Sequence, residues 1–148
     1  MSVASQAFRR LVRDVFIVVG FLAVVLIGGC VYYHSRHPQF SGPSPLAIDV
    51  RLSHGSSTNE YRTTITNRAA CEAIQRGFRE AHGVFSGHKV IGELTFRYGN
   101  GNTDTVWMMP GLPDGYSDIY LRGAFRLPST RFYQVLRDGG VDASEIQN

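Results

Sequence analysis

Few residues of this chain have the types and spacing that metal or cofactor chemistry requires. A transition-metal site needs several His, Cys, Asp or Glu side chains that converge on one ion. His34 and His37 have a suitable separation, but no third ligand follows them closely in the sequence. His82 and His88 flank a loop that contains glycine, where solvated histidines are common. The sequence therefore predicts no metal site and no cofactor.

Residues for nucleophilic or acid–base catalysis are equally sparse. Cys71 belongs to an apolar helical stripe, which indicates a buried, inert thiol. Asp49 and Glu93 fall on the polar faces of predicted strands, where solvated charges are the usual case. Gly99-Asn100-Gly101 has no helix after it and is no phosphate-binding loop. We therefore expect no catalytic residues and no enzyme activity, with a membrane-tethered hydrolase as the least favoured alternative.

Aromatic and methionine side chains gather instead around a loop rich in proline and glycine. Such side chains are enriched in binding patches, and loops on a rigid scaffold often carry function. Apolar residues beside strands usually face inward, however, so we expect Trp107 to belong to the core. The candidate binding surface consists of Trp107, Met109, Leu112, Tyr116 and Tyr120.

One stretch determines where the protein resides. Residues 15–33 contain no charged side chain. As a helix they reach about 28 Å, close to the thickness of a bilayer's hydrocarbon core. Lipid offers no partners for backbone groups, so a helix is required there, and Tyr32 and Tyr33 suit the interface. We predict a single transmembrane helix that acts as a signal anchor, preceded by a polar lead over residues 1–14.

Arginines predict the orientation of this helix. Arg9, Arg10 and Arg13 precede the apolar run, whereas only Arg36 follows it closely. Basic residues are retained in the cytoplasm. We therefore expect a bacterial inner (plasma) membrane protein whose N-terminus is cytoplasmic and whose C-terminal domain is periplasmic or extracellular.

Two other interpretations of the N-terminal segment put the domain on the same side. A cleaved signal peptide has a shorter apolar core of about 7–15 residues and a small-residue cleavage site, which is missing here. A bacterial lipoprotein signal is suggested by Leu26-Ile27-Gly28-Gly29-Cys30, in which Cys30 would be lipidated. The length of the apolar run favours an unmodified Cys30 within a membrane helix.

The formal charge of +3 does not indicate a nucleic-acid ligand. Residues 1–37 carry four Arg against one Asp, and the remainder carries eleven basic and eleven acidic residues. A nucleic-acid partner would require basic residues clustered on the domain itself. With one of its two cysteines in the apolar run, the chain cannot build a disulfide framework within the domain, so its stability depends on a core.

Periodicity predicts a Pro/Gly-rich stalk over residues 34–45 and one domain over residues 46–148. Strands are expected over 46–53, 61–66, 89–98 and 103–109, and over 116–127 with a bend at Gly123. Helices are expected over 68–82 and 130–138, the first capped by Asn67 or Thr66. The order ββαβββα predicts an α+β fold, a two-layer domain with a mostly antiparallel sheet of about five strands and two helices.

The most specific local prediction concerns the hairpin around Asn100-Gly101. A type I′ turn centred on this pair places Leu94 opposite Trp107 and Arg97 opposite Asp104. Trp107 would then face inward, and Asp104 would form an ion pair on the outside.

These observations favour a domain that acts through protein contacts, either as a subunit of an envelope complex or as an inhibitor or immunity-type binder. The alternative from another functional class is a sensory domain that binds a small ligand. Such a domain would need an apolar pocket of several hundred Å3.

Overall fold

The computed structural model describes residues 3–53, 60–87 and 90–142, which belong to two compact units, Met1–Ser35 and Arg36–Asn148. The first unit is one helix, α1 (Val3–His34). Its segment Val12–His34 has 23 residues and contains an 18-residue window with a mean hydropathy of 2.7, so it is long and apolar enough to cross a membrane. A signal sequence near the N-terminus can also meet this criterion of length and hydropathy.

The described residues of the second unit form a seven-stranded antiparallel sheet with two helices packed on one face. The predicted α+β class with antiparallel pairing is therefore confirmed. In space the strands follow the order β2-β1-β4-β5-β6-β7-β3. Their bounds, with those of the helices, are β1 Pro45–Ser53, β2 Glu60–Ile65, α2 Arg68–Phe78, β3 His82–Gly83, β4 Gly92–Tyr98, β5 Thr103–Met109, β6 Tyr116–Tyr120, β7 Ala124–Pro128 and α3 Ser129–Asp138.

The sheet has two strands more than expected. The predicted bent strand over 116–127 is a hairpin, in which Tyr120 pairs with Ala124 and Arg122 occupies the turn with φ 53°. The predicted first helix ends at Phe78, and His82–Gly83 instead form the short strand β3 beside β7. Both differences arise where tertiary pairing supplies backbone hydrogen bonds that local sequence patterns do not show.

The core lies between the sheet and the helices α2 and α3. Asn67 caps α2 as predicted, since its side-chain oxygen accepts a 3.1 Å hydrogen bond from the Ala70 amide. Gly77 lets the helices approach closely, because a Cβ there would lie 2.3 Å from a Val135 methyl carbon. The sheet contributes its inward side chains to this core: Ile48, Val50, Leu52, Leu94, Phe96, Val106, Met108, Ile119, Phe125 and Leu127.

The register of the β4–β5 hairpin differs by one residue from the prediction. Leu94 pairs with Val106 and Phe96 with Asp104, and the turn is a three-residue loop in which Gly101 has φ 82°. Such loops join a type I turn to one left-handed residue, whereas the predicted type I′ turn needs two. Because side chains alternate along a strand, the shift turns Trp107 outward and Asp104 inward. The predicted inward position of Trp107 and the Arg97–Asp104 ion pair are therefore wrong.

The segment predicted as a stalk packs onto the domain. Pro38 and Gly42 are buried, and the Ser41 amide and hydroxyl donate to the Asp104 carboxylate at 2.5 and 2.7 Å. The Gln75 side-chain amide donates to the Gly42 carbonyl at 2.8 Å. A buried carboxylate requires hydrogen-bond donors, and this segment supplies two of them to Asp104. Residues 36–44 are thus part of the folded domain rather than a spacer.

Candidate binding surface

The sheet presents one face to the helices and another, here called the outer face, away from them. The alternation of side chains along each strand divides polar residues from the core. The outer face has a charged half on β2, β1 and β4 and an aromatic half on β5, β6 and β7. Its main side chains are Asp49, Arg51, Glu60, Arg62, Glu93, Thr95, Arg97, Trp107, Met109, Tyr116, Asp118, Tyr120 and Arg126.

Cross-strand ion pairs organise the charged half. Arg51 lies 3.0 Å from Glu93 and 3.7 Å from Glu60, and Arg97 lies 3.1 Å from Asp49. Arg62 also pairs with Glu60. These exposed pairs contribute little to stability. As a result, this half of the face carries positive and negative side chains in equal number and has no net charge. Several of these side chains line an open groove of about 540 Å3.

Trp107 is the most prominent side chain of the aromatic half. It lies on β5 directly opposite Tyr120 of β6 and is 44% exposed. Met109, which is half-buried, lies opposite Asp118 on the same pair of strands. Tyr116 is exposed, and the Arg126 guanidinium lies 5.6 Å from the centroid of its ring. The structure thus places Trp107, Met109, Tyr116 and Tyr120 on one face.

Leu112 does not belong to this face. It is 7% exposed and lies in the loop between β5 and β6, where its amide donates to the Tyr116 carbonyl at 2.8 Å. The Leu112 side chain is buried, so its assignment to an exposed binding surface is wrong. The physical reason is that the loop folds back on itself, which places this apolar side chain out of solvent.

The buried side chain of Asp118 holds neighbouring side chains of the aromatic half through hydrogen bonds. Asp118 is 0% exposed and accepts hydrogen bonds from Arg126 at 2.6 and 3.2 Å and from the Ser86 hydroxyl. Ser86 also bonds the Tyr120 hydroxyl at 3.0 Å. The hydrogen bond to Asp118 is the main reason that the pKa of Arg126 is raised, so this arginine stays charged. The network holds Tyr120, beside Trp107, in a fixed position.

A second groove joins the two halves of the outer face. It has a volume of about 310 Å3, with Trp107 as one wall and Arg51, Glu60 and Glu93 among its polar side chains. Val90, 39% exposed, adds an apolar side chain at a position that was predicted to lie in a strand. Its exposure depends on where β4 begins, and no sequence pattern marks that point.

The two cysteines lie in different environments. Cys71 is fully buried, as its apolar stripe predicts, and burial raises the pKa of its thiol and so disfavours the nucleophilic thiolate. Cys30 is exposed on α1. Within residues 3–53, 60–87 and 90–142, no three His, Cys, Asp or Glu side chains form a group that could hold a metal ion.

Comparisons with known proteins identified no relative of this chain. No protein-family model, no curated protein and no solved structure matches this chain.

Proposed function

We propose that this protein is a single-pass membrane protein whose domain binds a protein partner through the groove beside Trp107. The observation that carries this proposal is a half-exposed tryptophan on a central strand of the sheet. Tryptophan and arginine supply much of the binding energy of protein interfaces, and Arg51 lines the same groove. A side chain held on a strand also loses little conformational freedom on binding.

The chemistry of the groove favours a protein over other partners. Its arginine is paired with glutamates, so the surface lacks the excess of positive charge that nucleic acid requires. An apolar centre with a polar rim is the usual anatomy of a protein interface. The two grooves on the outer face are open and lined by charged side chains, which does not favour the small-ligand alternative.

We propose further that α1 anchors the domain in a bacterial inner membrane, with the N-terminus in the cytoplasm and the domain outside. The support is the uncharged stretch of residues 15–33 and the three arginines before it against one after it. An envelope-complex subunit and an inhibitor or immunity-type binder both fit this arrangement.

A reporter fusion tests the orientation of α1. An alkaline phosphatase fused after Asn148 should be active, because this reporter folds only outside the cytoplasm. A fusion active only as a cytoplasmic reporter would contradict the orientation.

Site-specific crosslinking tests the binding surface directly. A photoreactive amino acid at position 107 of the full chain, irradiated in native membranes, should yield a discrete crosslinked protein band. The same amino acid at position 137, exposed on α3, is the matched control and should not yield that band. Equal crosslinking from both positions, or none from position 107, would contradict a binding surface at Trp107.

A further inference from the structure

The beginning of the domain brings two histidines together that are far apart in the sequence. His37 belongs to the segment 36–44, and His82 is the first residue of β3. Their ring centroids are 4.9 Å apart and the rings are inclined by 57°. Both residues are exposed. The segment and the edge of the sheet thus meet at a pair of accessible imidazoles.

Hydrogen bonds on both sides hold this pair of histidines in place. The Gly83 amide, next to His82, donates to the Arg36 carbonyl at 2.9 Å. The His37 ring reaches back to the Ala81 carbonyl, with 2.9 Å between Nδ1 and the oxygen. Pro38, which follows His37, is buried. The two imidazoles are therefore positioned by the fold around them.

The contact to Ala81 also determines where the His37 ring carries its proton. A carbonyl oxygen only accepts, so Nδ1 must be the donor, and the lone pair of the neutral ring lies on Nε2. Metal-binding histidines commonly donate their second ring N–H to a carbonyl in this way, which orients the ring and increases its basicity. His37 is therefore arranged as a ligand through Nε2.

We propose that His37 and His82 bind a divalent transition-metal ion that prefers imidazole, such as Zn2+, Ni2+ or Cu2+. Two imidazoles that share one ion at metal–nitrogen distances of about 2.0–2.1 Å have ring centroids on the order of 5 Å apart. The observed 4.9 Å meets this requirement. Water completes the coordination sphere, since the described residues supply no group of three acidic, cysteine or histidine ligands. The bound ion links the segment 36–44 to β3.

Titration of the metal-free full chain in detergent tests the site, with Cu2+ and Zn2+ as the probes. We expect a Cu2+ signal in electron paramagnetic resonance that shows coupling to two imidazole nitrogens. His37→Gln and His82→Gln should each weaken Cu2+ binding at least tenfold. Each should also abolish the Zn2+-induced rise in melting temperature that binding to the folded state produces. His54→Gln, which removes a histidine from another part of the chain, is the control and should bind like the parent.

The variants distinguish a two-histidine site from scattered binding. Both substituted side chains are exposed, so each variant should keep the circular dichroism spectrum and metal-free melting temperature of the parent. Parental Cu2+ affinity in either His37→Gln or His82→Gln would overturn the proposal. A loss in His54→Gln as large as in the other two would overturn it as well.

Discussion

At the scale of single residues, position relative to the sheet decides what each side chain does. Trp107 and Asp104 lie three positions apart on β5 and therefore project to opposite faces. The tryptophan is half-exposed beside Tyr120, and the aspartate is buried under the segment 36–44. Their observed positions reverse what their chemical types suggest, because hydrophobicity alone would have buried Trp107 and exposed Asp104.

Replacement of Trp107 by Ala should therefore impair binding more than folding. We expect it to lower the free energy of unfolding by about 1–2 kcal/mol, since only part of the ring is buried. Phe96→Ala, at a fully buried position of β4, is the control and should cost about 3–5 kcal/mol. Chemical denaturation of both variants measures the difference. A Trp107→Ala cost equal to that of Phe96→Ala would contradict the outward position of the ring.

Asp104 should make the domain sensitive to acid. Burial raises the pKa of its carboxyl, but hydrogen bonds from Ser41 and Tyr98 and the charge of Arg122 outweigh burial and lower it overall. A carboxyl with a lowered pKa in the folded state stabilises the protein above its unfolded pKa of about 3.9. This stability is lost as the pH falls from about 4 through the lower folded pKa.

Asp104→Asn isolates this contribution. The amide cannot ionise, so the variant should be less stable than the parent at neutral pH by about 1–3 kcal/mol. The difference in unfolding free energy should shrink as the pH falls from about 4 through the lower folded pKa, because the parental carboxyl is protonated first in the unfolded state. Denaturation curves at several pH values measure both proteins. A difference that is constant from pH 7 to pH 2 would show that the Asp104 charge does not stabilise the fold.

At the scale of elements, the β4–β5 hairpin illustrates how a turn sets a register. Gly101 has φ 82°, a conformation that a β-branched residue adopts only under strain. Gly101→Val should therefore cost about 1–3 kcal/mol. Gly99→Ala is the matched control, because its new Cβ would lie 3.6 Å from a Leu46 carbon, an ordinary contact. Thermal unfolding of both variants checks the turn, and a larger cost for Gly99→Ala would contradict it.

The contact between α2 and α3 depends on the absence of a side chain at Gly77. Gly77→Ala would bring a Cβ to 2.3 Å from Val135 and should destabilise the domain by about 1–3 kcal/mol. Val135→Ala removes the obstructing methyl groups at the cost of a cavity. We expect the double variant to be more stable than the sum of the two single effects implies. Strictly additive free energies would show that the two residues do not interfere.

At the scale of the whole molecule, the apolar helix α1 and the domain belong to separate units of one chain. The helix α1 is long and apolar enough to cross a membrane, so the proposed anchor requires no lipid on Cys30. Cys30→Ala should therefore remain in the membrane fraction, and the native chain should not incorporate labelled fatty acid. Release of the variant into the soluble fraction would support the lipoprotein alternative, in which Cys30 carries the anchor.

Local patterns were sufficient for some features of this protein. The uncharged helical stretch of residues 15–33, the capped stripe of α2 and the alternation of β1 from Ile48 to Ser53 each depend on neighbours in sequence, and they appear as predicted. At the start of β1 the alternation fails, since Leu46 is exposed and Ala47 is buried. Periodicity also sufficed for the antiparallel α+β class. Of the candidate surface, Trp107, Met109, Tyr116 and Tyr120 lie on one face of the sheet.

The remaining features depend on contacts between residues distant in sequence. The register of the β4–β5 hairpin depends on whether its loop has two or three residues. This difference of one residue determines which face of the sheet Trp107 occupies. The prolines and glycine of the segment 36–44 predict a stalk. In the structure this segment packs onto the domain, because Ser41 donates hydrogen bonds to Asp104, which lies 63 positions further along the chain. His37 likewise acquires its neighbour only when β3 pairs with β7 and brings His82 beside it. Local propensity determines elements, but burial and long-range hydrogen bonding determine which side chains meet.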